Sequence, residues 1–193
     1  MKYVIASDIH GSAYYCRQLL QQFEKENACR LILLGDILYH GPRNDLPKEY
    51  SPKDVLVQLN AYKQRIACVR GNCDSEVDQM VLDFPIMAAY ALFPVGSHLL
   101  LATHGHVYNI SQLPPLQPGD ILLHGHTHVP AWQSFGTQQY YLNPGSISLP
   151  KDNSPHSYMT WEDTTFQWKS LDGTVYHTLQ LNDYAAQPKE LPQ

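Results

Sequence analysis

Residues 2–36, KYVIASDIHGSAYYCRQLLQQFEKENACRLILLGD, hold two short apolar runs separated by one amphipathic stretch. The runs KYVIAS and RLILLG each break into a polar or glycine-bearing loop, the pattern of buried parallel strands. Between them Cys16, Leu19, Leu20 and Phe23 recur at helical spacing. The unit then repeats. SPKDVLVQLNAYKQ puts Val55, Leu56, Leu59 and Tyr62 on one helical face, with Ser51 as a cap, Pro52 in the first turn and Asp54 at the third position, and RIACVR follows as a third apolar run. The order β-α-β-α-β predicts right-handed crossovers and a parallel sheet.

Past residue 95 the rhythm changes. HLLLATHG, DILLHG and YYLNPG are apolar runs joined by segments rich in proline and glycine. SYMTWED, TFQWKSL and TVYHTLQL alternate like a meander, with Glu162-Asp163 and Asp172-Gly173 at the turns. The second half is therefore expected to be mostly strand, packed as a second layer on the first sheet with helices outside. Residues 1–182 are expected to form one domain, and 183–193, within AAQPKELPQ, a solvated tail.

The bulk composition narrows the function. With 193 residues, 44% of them hydrophobic, the chain can bury one sizeable core. A formal net charge of -5 argues against a long basic groove for nucleic acid, and leaves room for a small phosphorylated substrate held by local cations. Cys16, Cys29, Cys68 and Cys73 form no CxxC pair and read as free thiols in a reducing compartment. The run YVIA near the start is too short for a signal-peptide core and no 18-residue apolar stretch follows, so a cytoplasmic protein with no membrane partner is expected.

In an α/β sheet the loops at the carboxyl ends of parallel strands converge on one edge. Here five of them carry chemistry: SDIHG (Asp8, His10), GDILYHG (Asp36, His40), GNCD (Asn72, Cys73, Asp74), THGH (His104, His106) and HGHTH (His124, His126, His128). Seven of the ten histidines lie there, mostly beside glycines that let the backbone turn tightly. Taken singly, each aspartate is a helix cap, Asn72 a turn residue and each histidine a hydrated loop residue. Taken together, mixed Asp, His and Asn donors suit a pair of divalent ions such as manganese, iron or zinc. An extended backbone would point the first and third residues of DIH and of HTH the same way. His98, His156 and His177 fall outside these loops and read as surface positions.

The ordered set D-x-H-G, G-D, G-N-x-D, H-G and G-H-x-H resembles the calcineurin-like metallophosphoesterases, and HGPRN with RGNCDSEVDQM resembles their small bacterial phosphodiesterase branch. The resemblance spans roughly residues 2 to 160. It implies a four-layer α/β/β/α sandwich of two mixed sheets with flanking helices. It further implies two divalent ions, manganese first and zinc or iron as alternatives. One would be held by Asp8, His10 and His128, the other by Asn72, His104 and His126, with Asp36 bridging. The implied reaction is hydrolysis of a small phosphodiester by in-line attack of a metal-bridging hydroxide. A phosphomonoesterase using the same site, and a non-catalytic protein-binding scaffold of the same fold, are the competing readings.

One position departs from the pattern: Cys73 stands where most of the superfamily has a histidine facing the leaving-group oxygen. A thiol with an ordinary pKa of about 8.5 beside dications is a poor proton donor near neutrality, which favours good leaving groups. His40 is a substitute acid by position, and Arg43 a neutraliser of phosphate or leaving alkoxide. His106 is assigned to orienting the site or contacting phosphate, and His124 to a supporting or interface position. Tyr14 and residues 144–146 are candidates for the border. The aromatic C-terminal strands, with Trp161, Trp168 and Tyr176, either cover the core or form a subunit contact, so a homo-oligomer stays open.

Overall fold

The computed structural model describes residues 1–181. The elements are β1 (Lys2–Ala6), α1 (Ala13–Lys25), β2 (Arg30–Leu33), α2 (Pro52–Asn60), β3 (Ile66–Cys68), α3 (Glu76–Val81), β4 (Ala91–Val95), β5 (His98–Ala102), β6 (Ile121–Leu123), β7 (Pro130–Phe135), β8 (Gln139–Pro144), β9 (Ser157–Glu162), β10 (Thr165–Ser170) and β11 (Val175–Gln180). They build two mixed sheets. The first has the order β11-β10-β9-β1-β2-β3 and the second β4-β5-β6-β8-β7. The three helices all precede β4. The result is the expected α/β sandwich, with few helices. No helix among the described residues is long and apolar enough to cross a membrane. The tail assigned to 183–193 lies outside the described residues.

The C-terminal meander joins the first sheet: β9 runs antiparallel to β1, pairing Ile5 with Met159 and Lys2 with Glu162. The second sheet has its own parallel centre, β5-β6-β8, flanked by antiparallel edges β4 and β7. Alternation along the strands separates two cores. Val4, Ala6, Leu31 and Leu33 face α1 and α2 through Leu19, Phe23, Val55 and Leu59. Ile5 and Ile32 face the other way, onto Leu100, Ile121, Leu123 and Leu142 of the second sheet. Parallel registers align the strand ends: Ala6 lies opposite Leu33, Leu33 opposite Cys68, and Ala102 opposite Leu123. The five loops that carry the polar residues therefore leave from two short, level rows.

Three elements have no sequence signal. β4 contains Pro94, and β7 starts with Pro130 and exposes half of its residues; both are edge strands, where proline and polar residues are tolerated. α3 is six residues long and has no buried side chain, so it carries no apolar stripe to read. It is held by a capping box between Ser75 and Asp78. Ser51 differs from expectation: its hydroxyl donates to the Asp54 carboxylate at 2.7 Å and makes no bond to the helix backbone.

Of the histidines outside the loops, His98 is buried, against expectation, and His156 and His177 are partly covered. His98 is 8% exposed. His156 is half-buried, with Nδ1 2.8 Å from the Ile147 carbonyl and Nε2 3.0 Å from the Tyr15 hydroxyl. His177 stacks on Trp132 at a ring separation of 4.0 Å, linking edge strand β11 of one sheet to edge strand β7 of the other.

Candidate metal centre

Each loop is shaped by backbone contacts before any side chain is considered. After β1, Asp8 N donates to Gly35 O, His10 N to Asp36 O and Gly11 N to Ile37 O, at 2.8 to 3.2 Å, so the first loop zips onto the second. The third loop is tied in by Asp74. Its buried carboxylate accepts from the backbone amides of Asp36, Ile37 and Gly71 at 2.9, 2.9 and 2.7 Å. Gly71 must be glycine, because a Cβ there would collide with the Asp36 carboxylate and amide.

Five of the seven expected ligands sit in the left-handed backbone region: Asp8 (φ 59°), His10 (49°), Asp36 (56°), His126 (65°) and His128 (63°). Extended alternation therefore does not aim DIH and HTH; the chain coils instead, and tertiary contacts hold this costly geometry. Asp8 shows how. Its carbonyl accepts the hydroxyls of Ser146 (3.0 Å) and Ser148 (2.8 Å), and its Oδ2 accepts the His126 amide at 3.1 Å. Asn143 braces the HGHTH loop from behind by donating to Gly125 O at 2.9 Å.

The imidazoles are pinned from outside. Nδ1 of His10, His104 and His128 lies 2.8, 2.7 and 2.6 Å from the carbonyls of Tyr39, Leu34 and Leu149. A carbonyl accepts only, so each Nδ1 carries the hydrogen and each Nε2 turns its lone pair inward. Inside, His10 Nε2 is 3.3 Å from His128 Nε2, and His104 Nε2 is 3.0 Å from Asn72 Oδ1 and 3.1 Å from His126 Nδ1. Asp8 Oδ1 is buried without a hydrogen-bond donor among the described residues. Acceptors facing acceptors at this distance repel unless a cation lies between them. The donors of Asp8, His10 and His128 lie within 4.8 Å of one another, as do those of Asp36, His104 and His126. The residues present fit divalent metal ions.

The field favours a cation here: burial alone would keep His104 neutral, but Asp36 and Asp8 push its pKa up to about 9, so without an ion a proton takes the place on Nε2 that a metal would otherwise fill. Burial opposes ionisation of Asp8, yet His10 and His128 hold its carboxyl well below the usual range. Burial and the carboxylates of Asp36 and Asp74 push the Cys73 thiol up to about 12. Cys73 also lies within ligating reach of His10 and Asp36.

A cavity of about 300 Å³ opens over these groups, lined by His10, Asp36, Asn72, Cys73, His126 and His128, with Gly41–Asn44 and Lys151 on its walls. Arg43 thus stands in the cavity. His40 does not; its ring packs edge-on against Tyr39 and Tyr50. His124 is buried behind the ligands, stacked on Tyr141 at 4.4 Å, and burial lowers its pKa to about 4. His106 lies 5.4 Å, ring to ring, from His104 and lines a neighbouring cleft. Tyr14 and residues 144–146 do not line the cavity: Tyr14 carries Lys48 over its ring, and Ser146 braces Asp8. Lys151 and Asn143 were missed, and Asp74, named with the third loop, was given no role. Asp74 sits within GNCD and Asn143 at a strand end before proline and glycine, so both had a signal; Lys151 had none, because it comes from a loop with no motif.

Comparison with known proteins adds the following. Residues 1–165 match the family model of the calcineurin-like phosphoesterase superfamily domain. The chain is 43% identical over 183 residues to phosphodiesterase YfcE of Escherichia coli, covering 95% of this chain and 94% of that protein. It is 27% identical to the probable metallophosphoesterase YsnB of Bacillus subtilis, covering 82% of each. The solved structure of YfcE superposes with a TM-score of 0.90 at 41% identity, over 94% of this chain and 100% of that one. Zinc-bound Vps29 of Entamoeba histolytica superposes with a TM-score of 0.57 at 22% identity, covering 94% and 100%, a likeness of fold alone.

Proposed function

Given that the chain belongs to the calcineurin-like phosphoesterase superfamily, we propose that it is a phosphodiesterase using two divalent ions, manganese in the first place, to hydrolyse a small phosphodiester. The observation that carries this reading is the pair of converging Asp/His groups, one built on Asp8 and the other on Asp36, at the floor of one cavity. Asp8, His10 and His128 would hold one ion and Asn72, His104 and His126 the other, with Asp36 placed to serve both. Nitrogen and oxygen donors without an obligatory thiolate suit manganese, and equally iron or zinc. Bound there, the ions supply Lewis acidity toward the phosphoryl oxygens and lower the pKa of a coordinated water.

The chain's own residues do the rest. Asp36 is fixed from two sides, its Oδ1 accepting the Cys73 amide at 2.8 Å and its backbone amide donating to Asp74. Asn72 stands exposed at the rim, where its amide reaches both the His104 ring and the cavity. Cys73 stands at the cavity floor, and a thiol beside dications is a poor proton donor near neutrality, so the leaving oxygen departs best as a stable anion. Arg43 and Lys151 are the cations positioned to neutralise it, and no carboxylate pairs with either among the described residues. His40 has no place in this chemistry while its ring is packed against Tyr39 and Tyr50. Four free cysteines suit a reducing, cytoplasmic setting.

The test is hydrolysis of bis-4-nitrophenyl phosphate and 4-nitrophenyl phosphate by chelator-stripped protein, with manganese returned. Manganese-restored turnover favouring the diester is expected. Preference for the monoester would reassign the activity, and two bound ions without turnover of either would leave a binding module.

A further inference from the structure

Resting on the phosphodiesterase reading, we propose that the substrate is an asymmetric diester. Its leaving arm is polar and lies between Arg43 and Lys151, and its retained arm is apolar, of the size of an aromatic ring, and seats in a second cleft beyond Asn72.

That cleft, about 360 Å³, is lined by Arg70, Met87, Ala89, His106, Val107 and Tyr108, and it shares Asn72 with the first cavity. The two adjoin beside the candidate metal centre: His126 lines the first cavity and His106 the second, with ring centres 6.3 Å apart. A phosphorus centre seated at Asn72 therefore borders both cavities, and a diester has two arms to place.

The two cavities differ in chemistry. The first presents Arg43, Asn44 and Lys151; the second presents mainly carbon, from Met87, Ala89, Val107 and Tyr108. The one cation of the second cleft is already engaged, since Arg70 Nε donates to the Asp74 carbonyl at 3.2 Å and its guanidinium lies 3.5 Å from Glu76. Hydrolysis decides which arm goes where. A water-derived oxygen bonds to phosphorus, the bond to the leaving oxygen breaks, and that oxygen departs with the electron pair. Developing negative charge needs the cations of the first cavity. The arm that keeps its bond to phosphorus gains no charge and fits the apolar cleft, where burying a ring contributes binding in both ground and transition states. Val107 is 45% exposed, area a ring would cover.

The experiment uses manganese-loaded protein and two diesters with the same leaving group, phenyl 4-nitrophenyl phosphate and methyl 4-nitrophenyl phosphate. In parallel, phenylphosphonate and methylphosphonate, which cannot be hydrolysed, are compared by calorimetric binding. The expected preference for phenyl over methyl is about tenfold or more, carried in KM for the diesters and in Kd for the phosphonates. Val107→Asp, and independently Ala89→Asp on another lining residue, should bring both ratios close to one. A ratio near one in the unsubstituted protein, or a preference that survives both substitutions, overturns the proposal. Turnover of neither diester with a retained phenyl preference in binding overturns the phosphodiesterase reading and supports the apolar cleft.

Discussion

Asp36 is the residue on which the site turns. Its carboxylate lies 3.4 Å from His104 Nε2 and 3.7 Å from His10 Nε2, one donor from each of the two metal-binding sets. Asp36→Asn keeps the volume and one acceptor oxygen but removes the negative charge and puts a donor in place of the second oxygen. Metal content measured by emission spectroscopy should fall, and manganese-dependent turnover should drop by at least about 100-fold with the circular dichroism unchanged; retained metal and activity would remove the bridging role. Cys73 offers the opposite experiment. Cys73→His places an imidazole where the thiol stands, and turnover of diesters with poor leaving groups should rise by about 100-fold if proton donation limits the rate. An unchanged rate would mean that another group already supplies the proton. At this scale the sequence was informative because residue type and order carry the chemistry: all seven expected ligands are brought together. It misled on how they are aimed, since left-handed backbone at five of them depends on contacts such as Ser146 to Asp8 that lie far apart in the chain.

The elements matter through the level at which they end. β1, β2 and β3 stop in register, and the loops that follow are bound to one another by Asp74, which accepts three amide hydrogens while 3% exposed. Asp74→Ala strands those three donors in a buried junction. A loss of about 3 kcal/mol in denaturant unfolding is expected, with metal affinity weakened by about 10-fold or more because Asp36 loses its anchor. Wild-type stability in this variant would mean that water replaces the carboxylate without cost. Strong elements were legible: α1 and α2 from their apolar stripes, the buried strands from their runs. α3, β4 and β7 were not, because edge strands and a helix with no buried face have no hydrophobic period to leave in the sequence.

At the scale of the whole molecule the two sheets form a frame that gathers like-disposed acceptors, and such a frame is expected to be more stable with cations present than without. Manganese at about 100 times its dissociation constant should add close to 3 kcal/mol, raising the melting temperature of the chelator-stripped protein by about 5 to 10 °C. The shift should vanish in Asp36→Asn; an equal shift in both proteins would place the stabilising ion elsewhere. The sequence by itself determined the α/β class, the five polar strand-end loops and the candidate donors they carry, because hydrophobic period and residue chemistry are local properties. Only the tertiary structure decided that the C-terminal meander pairs with β1 rather than with the second sheet, that Lys151 joins Arg43 in lining the cavity while His40 packs against Tyr39 and Tyr50, and that an apolar cleft adjoins the cavity at Asn72. Those are relations between segments distant in the chain, set by strand register and the packing of one sheet on the other, and no single stretch of residues contains them.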